Sequence, residues 1–188
     1  MVFPDKEIRQ VVDPTLLLSR SDWLATFQIT DTPLQEPYIL IYSVPRTQLI
    51  RRAITFFKEK LNLPVIAIDK MLIPMKNVDQ SVRSAGPREF INLYANASFV
   101  ITDSFHGTCF SVNFEIPFIC IPATIKANRQ EGLLAALGLK DRIVYEESGF
   151  DCLSTDLDYR EPREKLKKLR QDSLDYLNDA FSSLEEVK

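Results

Sequence analysis

From Tyr38 onward, apolar runs of strand length alternate with stretches whose apolar residues recur at helical spacing. Tyr38 to Val44 is a nearly continuous apolar run. After Pro45, the residues Leu49, Ile50, Ala53, Ile54, Phe57 and Leu61 fall on one helical face. Pro64 to Ile68 reads as a second strand, closed by Asp69 and Lys70. Residues 70–85 show no clear period and read as a loop with at most a short third strand. Gly86-Pro87 opens a helix, with Pro87 suited to its first turn and Phe90, Leu93, Tyr94 and Ala97 inward. Ser98 to Thr102 is a strand, His106 to Glu115 a helix and Pro117 to Ile121 a strand. Gln130 to Leu137 is a helix ended by Gly138, and Arg142 to Tyr145 a last short strand. The closing helix lines up Leu166, Leu169, Ser173, Leu177, Phe181 and Leu184.

Ahead of this pattern, residues 1–35 read as an arm. Ser19 or Ser21 can cap a short helix through Trp23, and Thr32-Pro33 and Glu36-Pro37 break the chain before the domain proper. The expected division is an arm or inter-lobe segment over 1–35, a domain over 36–160 and a C-terminal helix over 161–188. Strands without polar alternation, separated by helices, mean a parallel sheet covered on both faces. The predicted fold is therefore an α/β, three-layer, Rossmann-like sandwich. Ligands of such sheets sit beyond the carboxyl ends of the strands. That edge gathers Ser43 to Arg46, Asp69-Lys70, Asp103 to Gly107 and Pro122 to Arg129. Neither a GxGxxG nor a GxxxxGK[ST] pattern marks a dinucleotide or P-loop site.

Composition narrows the function. A chain of 188 residues can bury a core without staples. Its net charge of −3 argues against a broad nucleic-acid surface. The odd set Cys109, Cys120 and Cys152 has no CxxC and suggests reduced thiols. With a single histidine, a His/Cys zinc site has little to work with, and no metal is expected. No apolar run approaches a membrane span, and the first residues do not read as a signal peptide.

The chemistry concentrates in Ala97 to Ser111. A strand runs into the polar turn Asp103-Ser104, which opens onto a helix near His106-Gly107, the position of the only histidine. Free N–H groups and the positive end of the helix dipole make such a junction suited to a phosphate or carboxylate. His106 and Asp103 are available there for proton transfer. His106 can equally satisfy a helix end, and Asp103 can simply cap the helix. Ser104 and Thr108 fit caps as well as ligands, and Gly107 permits close backbone approach to the ligand or a positive φ. Arg129 suits an anion through its fork, or an ion pair with Glu131. Lys126, Arg142 and Arg46 are weaker anion candidates, and Glu89 fits helix capping. Cys109 reads as a small core residue.

Several segments together carry a resemblance. Gly86-Pro-Arg-Glu-Phe90, Ala97-Ser-Phe-Val-Ile-Thr-Asp-Ser-Phe-His-Gly107, Phe110-Ser111 and Pro117-Phe118 closely resemble the polysaccharide pyruvyl transferase family. Asp13-Pro-Thr-Leu-Leu17 upstream, and Asn128-Arg129, Leu133-Leu134, Leu137-Gly-Leu139 and Arg142 downstream, look like the same pattern. The likeness runs from about residue 10 to about residue 145.

The resemblance implies a two-lobed GT-B-type transferase with two Rossmann-like halves facing a cleft. This chain is similar to the C-terminal, donor-binding half, so an N-terminal lobe is missing from it and the piece alone is expected to be inactive. The implied reaction moves a pyruvyl group from phosphoenolpyruvate to a sugar of a cell-surface polysaccharide or its lipid-linked precursor, as a cyclic ketal. His106 and Asp103 are the implied catalytic residues, and Ser104, Gly107, Thr108, Lys126 and Arg129 the implied donor-binding set. No cofactor is implied beyond the donor substrate. The implied partners are that donor and a saccharide acceptor, without nucleic acid or a membrane span, and the open cleft edge leaves room for a homo-oligomer. The implied location is the cytoplasm, or the inner membrane face as a peripheral protein. Two alternatives share the fold: a nucleotide-sugar-dependent glycosyltransferase domain and a non-catalytic binding module.

Overall fold

The computed structural model of the protein describes residues 9–30, 36–69, 71–123 and 128–185. Five strands, β1 (Ile39–Tyr42), β2 (Val65–Ile68), β3 (Gln80–Val82), β4 (Phe99–Thr102) and β5 (Phe118–Cys120), form one sheet in the order β3-β2-β1-β4-β5. Every pairing is parallel, with Ile39 level with both Val65 and Phe99. The chain winds outward from β1 to β3, then crosses back to lay β4 on the other side of β1. The order reverses between β1 and β4, and there the carboxyl ends of a doubly wound sheet leave a crevice.

Helices cover both faces, so successive strand residues are buried in opposite directions. Ile39, Ile41, Val65, Ala67, Phe99 and Ile101 pack against Ile50, Ala53, Ile54 and Phe57 of α2 (Gln48–Leu61). Leu40, Val100, Phe118 and Cys120 face the other way, toward α3 (Pro87–Ala95), α4 (Phe105–Asn113) and α5 (Asn128–Leu137). Burial on both faces is why these strands lack a polar alternation.

Local chemistry sets the helix ends. Ser19 caps α1 (Arg20–Thr26) in a box with Asp22, each side chain bonding the other's backbone N–H. The Glu89 carboxylate accepts the Gly86 N–H at 3.1 Å at the start of α3. Asn62 and Gly138, with φ of 51° and 78°, close α2 and α5 in the left-handed region.

The structure departs from the sequence pattern at several points. Lys140–Arg142 is a 3₁₀ turn, and the expected last strand is reduced to a single parallel bridge between Cys120 and Ile143. The Arg142 side chain is only 6% exposed, and its guanidinium is bound to Asp141 and the Ser154 carbonyl (2.9 Å). The turn that houses this buried cation ends the ladder. Ala97 lies past α3, and Ile91 takes an inward position instead. Leu166 and Ser173 of the closing helix α6 (Arg160–Glu185) are buried, whereas Phe181 is 65% exposed. Thr32-Pro33 and the Leu184 side chain lie outside the described residues.

The arm is built into the core. Leu16 and Leu24 are buried in it, and Trp23 meets the Phe110 ring edge-on at 5.4 Å. Arg170 Nε of α6 donates to the Leu16 carbonyl (2.6 Å), and the Val12 N–H donates to Ser173 Oγ (3.0 Å). These contacts fix residues 12–18 across the start of α4.

Candidate active site

The turn between β4 and α4 is held from below. Thr102 Oγ1 donates to the Tyr42 carbonyl (2.6 Å) and accepts the Ser104 N–H (3.1 Å). Ser104 is the N-cap of α4, its hydroxyl accepting the Gly107 N–H at 3.3 Å. Thr108 is fully buried, and its hydroxyl donates to the Ser104 carbonyl (3.2 Å). Gly107 is buried too, pressed so closely on Thr102 that a Cβ would stand 2.1 Å from its Oγ1. Ser104, Gly107 and Thr108 therefore build the turn, while its open side is made by neighbours.

Asp103 occupies the crevice between β1 and β4. Its carboxylate accepts the Ser43 hydroxyl and the Val44 N–H (3.0 Å), stitching the two loops together. Burial pushes this carboxyl up from the ordinary aspartate range, and the two hydrogen bonds oppose the shift. A raised value means the folded protein holds the proton more tightly than the unfolded chain. The ionised group then costs stability at neutral pH, and that cost fades as pH falls through the folded value. The melting temperature of the parent should accordingly rise relative to Asp103→Asn between about pH 7 and about pH 4. A difference that stays flat over this range would show that the carboxyl is not shifted.

His106 stands on the open side. Its side chain is 54% exposed, and Nε2 lies 3.6 Å from Oδ2 of Asp13. Asp13 is 14% exposed at its side chain and held by its other oxygen, which accepts the N–H (3.0 Å) and hydroxyl (2.7 Å) of Thr15. Asp13 thus caps the 3₁₀ turn Pro14–Leu16 with one oxygen and faces His106 with the second. Arg129, in the first turn of α5, lays its guanidinium over the Phe105 ring at 4.6 Å. The His106 ring lies 5.9 Å from the same ring. Gln130 Nε2 donates to the Asp103 carbonyl (3.3 Å), tying the start of α5 to the β4–α4 turn.

Two helix starts, an imidazole and a guanidinium thus gather around Phe105, with Asp13 behind the imidazole. A groove of about 770 Å³ opens beside them, lined by Asp13, Phe105, Asn128, Arg129, Leu133 and Leu169 among others. The first-turn N–H groups of a helix lack intrahelical acceptors, and its dipole favours negative charge there. The arrangement can offer an anion a guanidinium and helix N–H groups, and can pass a proton from an imidazole backed by a carboxylate.

The remaining candidates lie apart from this cluster. Arg46 is ion-paired with Asp69 and donates to the Ile73 carbonyl (2.9 Å). Arg142 is committed to Asp141 and Ser154. Glu89 is a helix cap. Burial pushes the Cys109 thiol up to about 12, which leaves it a core residue. Lys126 lies outside the described residues. Asp13 is the residue that the sequence reading placed in the arm and in the family-like Asp13-Pro-Thr-Leu-Leu17 segment, without a role in the site. Its Asp-Pro-Thr start signals a capped turn, but its pairing with His106 depends on how the arm packs.

Fold and site define a doubly wound α/β protein whose carboxyl edge carries a carboxylate-paired histidine beside an arginine. The chain belongs to the polysaccharide pyruvyl transferase family: the family model described as Polysaccharide pyruvyl transferase matches residues 2–123. That span contains Asp13 and the whole segment Ala97 to Ser111, whereas Arg129 and Arg142 lie beyond it. No curated protein sequence matches the chain. Among the described residues no helix is long and apolar enough to cross a membrane.

Proposed function

We propose that this chain binds phosphoenolpyruvate as the donor half of a pyruvyl transferase acting on a sugar of a cell-surface polysaccharide. The carrying observation is that Asp13-backed His106 and Arg129 both lie near the Phe105 ring at the head of α4. The donor bears a carboxylate and a phosphate. Arg129 offers a fork that meets either group bidentately, and the starts of α4 and α5 add N–H groups.

Ketal formation requires four changes at the donor. The methylene carbon gains a proton, a sugar hydroxyl bonds to C2 and releases its proton, and the C2–O bond to phosphate breaks. A second hydroxyl of the same sugar then bonds to C2 and releases its proton, closing the ring. In this reading protonated His106 binds the phosphate and gives its proton to the departing oxygen, while Asp13 orients and stabilises the imidazolium. Arg129 offsets the remaining negative charge. The carboxyl edge of the sheet would face a second lobe that supplies much of the acceptor site.

Calorimetric titration with phosphoenolpyruvate tests the donor site. His106→Ala and Arg129→Ala should each weaken binding roughly ten- to hundredfold, the worth of a charge-assisted contact of about 1.5–3 kcal/mol. Circular dichroism should show both variants folded as the parent. Parental affinity in both variants would move the donor site elsewhere. Binding of a nucleoside diphosphate in place of phosphoenolpyruvate would favour a nucleotide-sugar enzyme instead.

A further inference from the structure

At the end of the sheet opposite the crevice, four cations face one pocket. Asn113 and Glu115, both in its lining, lie where the chain leaves α4 for the start of β5, which places the pocket at the amino edge. It encloses about 350 Å³ and is lined by Arg20, Arg163, Lys167 and Arg170, with Val112 and Leu166 as an apolar wall. The carboxyl edge, which would face a second lobe, lies at the other end of the strands.

The fold holds these cations in place mostly through neutral groups. Arg170 Nε donates to the Leu16 carbonyl (2.6 Å), and its Nη2 donates to Asn113 Oδ1 (2.9 Å) and the Leu18 carbonyl (3.4 Å). Its Nη1 has no acceptor among the described residues. Arg20 donates to the Phe114 (3.1 Å) and Ala95 (3.2 Å) carbonyls, so the free carbonyl at the end of α4 is already occupied. Glu115 is the one acid in the lining, and both its oxygens accept from Arg163 (2.6 and 2.5 Å). Asp22, close by, is committed to the Ser19 cap. Lys167 is exposed and forms no ion pair among the described residues. Four cations against one carboxylate make the pocket positive in a chain of net charge −3. Burial also disfavours the Arg170 charge, a cost that a bound anion would offset.

We propose that this pocket binds a small phosphate ester. The phosphate meets Nη1 of Arg170 and the ammonium of Lys167, and the carbon skeleton covers Val112 and Leu166. Guanidinium and ammonium groups bind phosphate through charge-assisted hydrogen bonds. The volume is that of a small-molecule site. A nucleic-acid backbone needs a basic track, whereas these cations converge on a single hollow. The apolar wall distinguishes an ester from a bare inorganic ion, which would leave that wall uncovered. The inference rests on charge and shape at the amino edge and stands independently of the donor reading.

Calorimetric titration with glycerol 3-phosphate tests it in a protein carrying His106→Ala and Arg129→Ala, where the donor contacts are gone. Saturable one-to-one binding should remain. Adding Lys167→Glu should weaken it at least about tenfold. Lys168→Glu, the same charge change on the same helix but outside the pocket, should leave it unchanged. Arg170→Ala should abolish binding, but it also frees the Leu16 carbonyl and can loosen the arm. Lys167 holds no such contact, so its variant tests the site whether or not the Arg170 variant folds. Glycerol should not bind, and inorganic phosphate should bind more weakly than the ester. Absence of saturable binding overturns the proposal, as does parental affinity in the Lys167 variant. Equal weakening by Lys167→Glu and Lys168→Glu would reduce the effect to diffuse surface charge and overturn the site. Equal affinity for inorganic phosphate would overturn its assignment to an ester.

Discussion

His106→Ala is expected to slow pyruvyl transfer by about 10²–10⁴-fold, or about 2.7–5.5 kcal/mol of barrier, the usual range for a lost general acid. Asp13→Asn should slow it by a large part of that factor without loosening the fold. Asparagine keeps the side-chain oxygen that accepts from the Thr15 N–H and hydroxyl, so the 3₁₀ cap survives. Only the charge facing Nε2 of His106 is removed. Because the carboxylate acts through the imidazole, combining Asp13→Asn with His106→Ala should be little worse than His106→Ala alone. Single-turnover release of inorganic phosphate, followed together with ketal formation, measures each variant. Multiplying effects in the double variant would mean that Asp13 works independently of His106. Unchanged turnover in Asp13→Asn would reduce Asp13 to a cap.

Gly107→Ala is expected to be the most damaging single methyl group in the protein. The new Cβ would lie 2.1 Å from Thr102 Oγ1, 3.0 Å from Thr102 Cβ and 3.1 Å from the Tyr94 hydroxyl. Thr102 has little freedom to yield. It sits in a strand paired on both sides, and its hydroxyl is bound to the Tyr42 carbonyl and the Ser104 N–H. Helix α4 must therefore lift off β4, an overpacking cost of about 1–3 kcal/mol or more. A domain of this size should then melt roughly 2–12 °C lower. Thr102→Ala in the same background removes the closest atom and should recover part of the loss, so the two changes would not add. Lifting α4 also displaces His106 from Asp13, and donor affinity should fall with the melting temperature. Scanning calorimetry of the three variants decides the matter. An alanine variant as stable as the parent would mean that α4 and β4 are not in such close contact.

Much of the architecture is local and therefore legible along the chain. The apolar runs at Ile39–Tyr42, Val65–Ile68, Phe99–Thr102 and Phe118–Cys120 lack polar alternation because helices cover both faces of the sheet. Gly86-Pro87 with Glu89, and Gly138 after Leu137, are end signals whose partners lie within one turn. His106 could be singled out for the same reason, since the strand, turn and helix around it are contiguous.

Interactions between distant segments were decided by the tertiary structure alone. Ile143 to Tyr145 has the residue types of a strand, but housing the buried Arg142 guanidinium requires a turn, and only one bridge forms. Gly107 is explained by the steric distance between α4 and Thr102, which backbone propensity does not encode. Met71 to Ile73 fall in a stretch that reads only as a loop, and that they face solvent is seen in the tertiary structure alone. The sequence by itself determined the class of fold, the strand-to-helix turn and the histidine at its head. The carboxylate behind that histidine, the arginine beside it and the crevice filled by Asp103 come from three separate stretches of chain. Their meeting depends on strand order and on the docking of the arm against α4 and α6, and those are set by the summed burial of the whole core rather than by any local residue pattern.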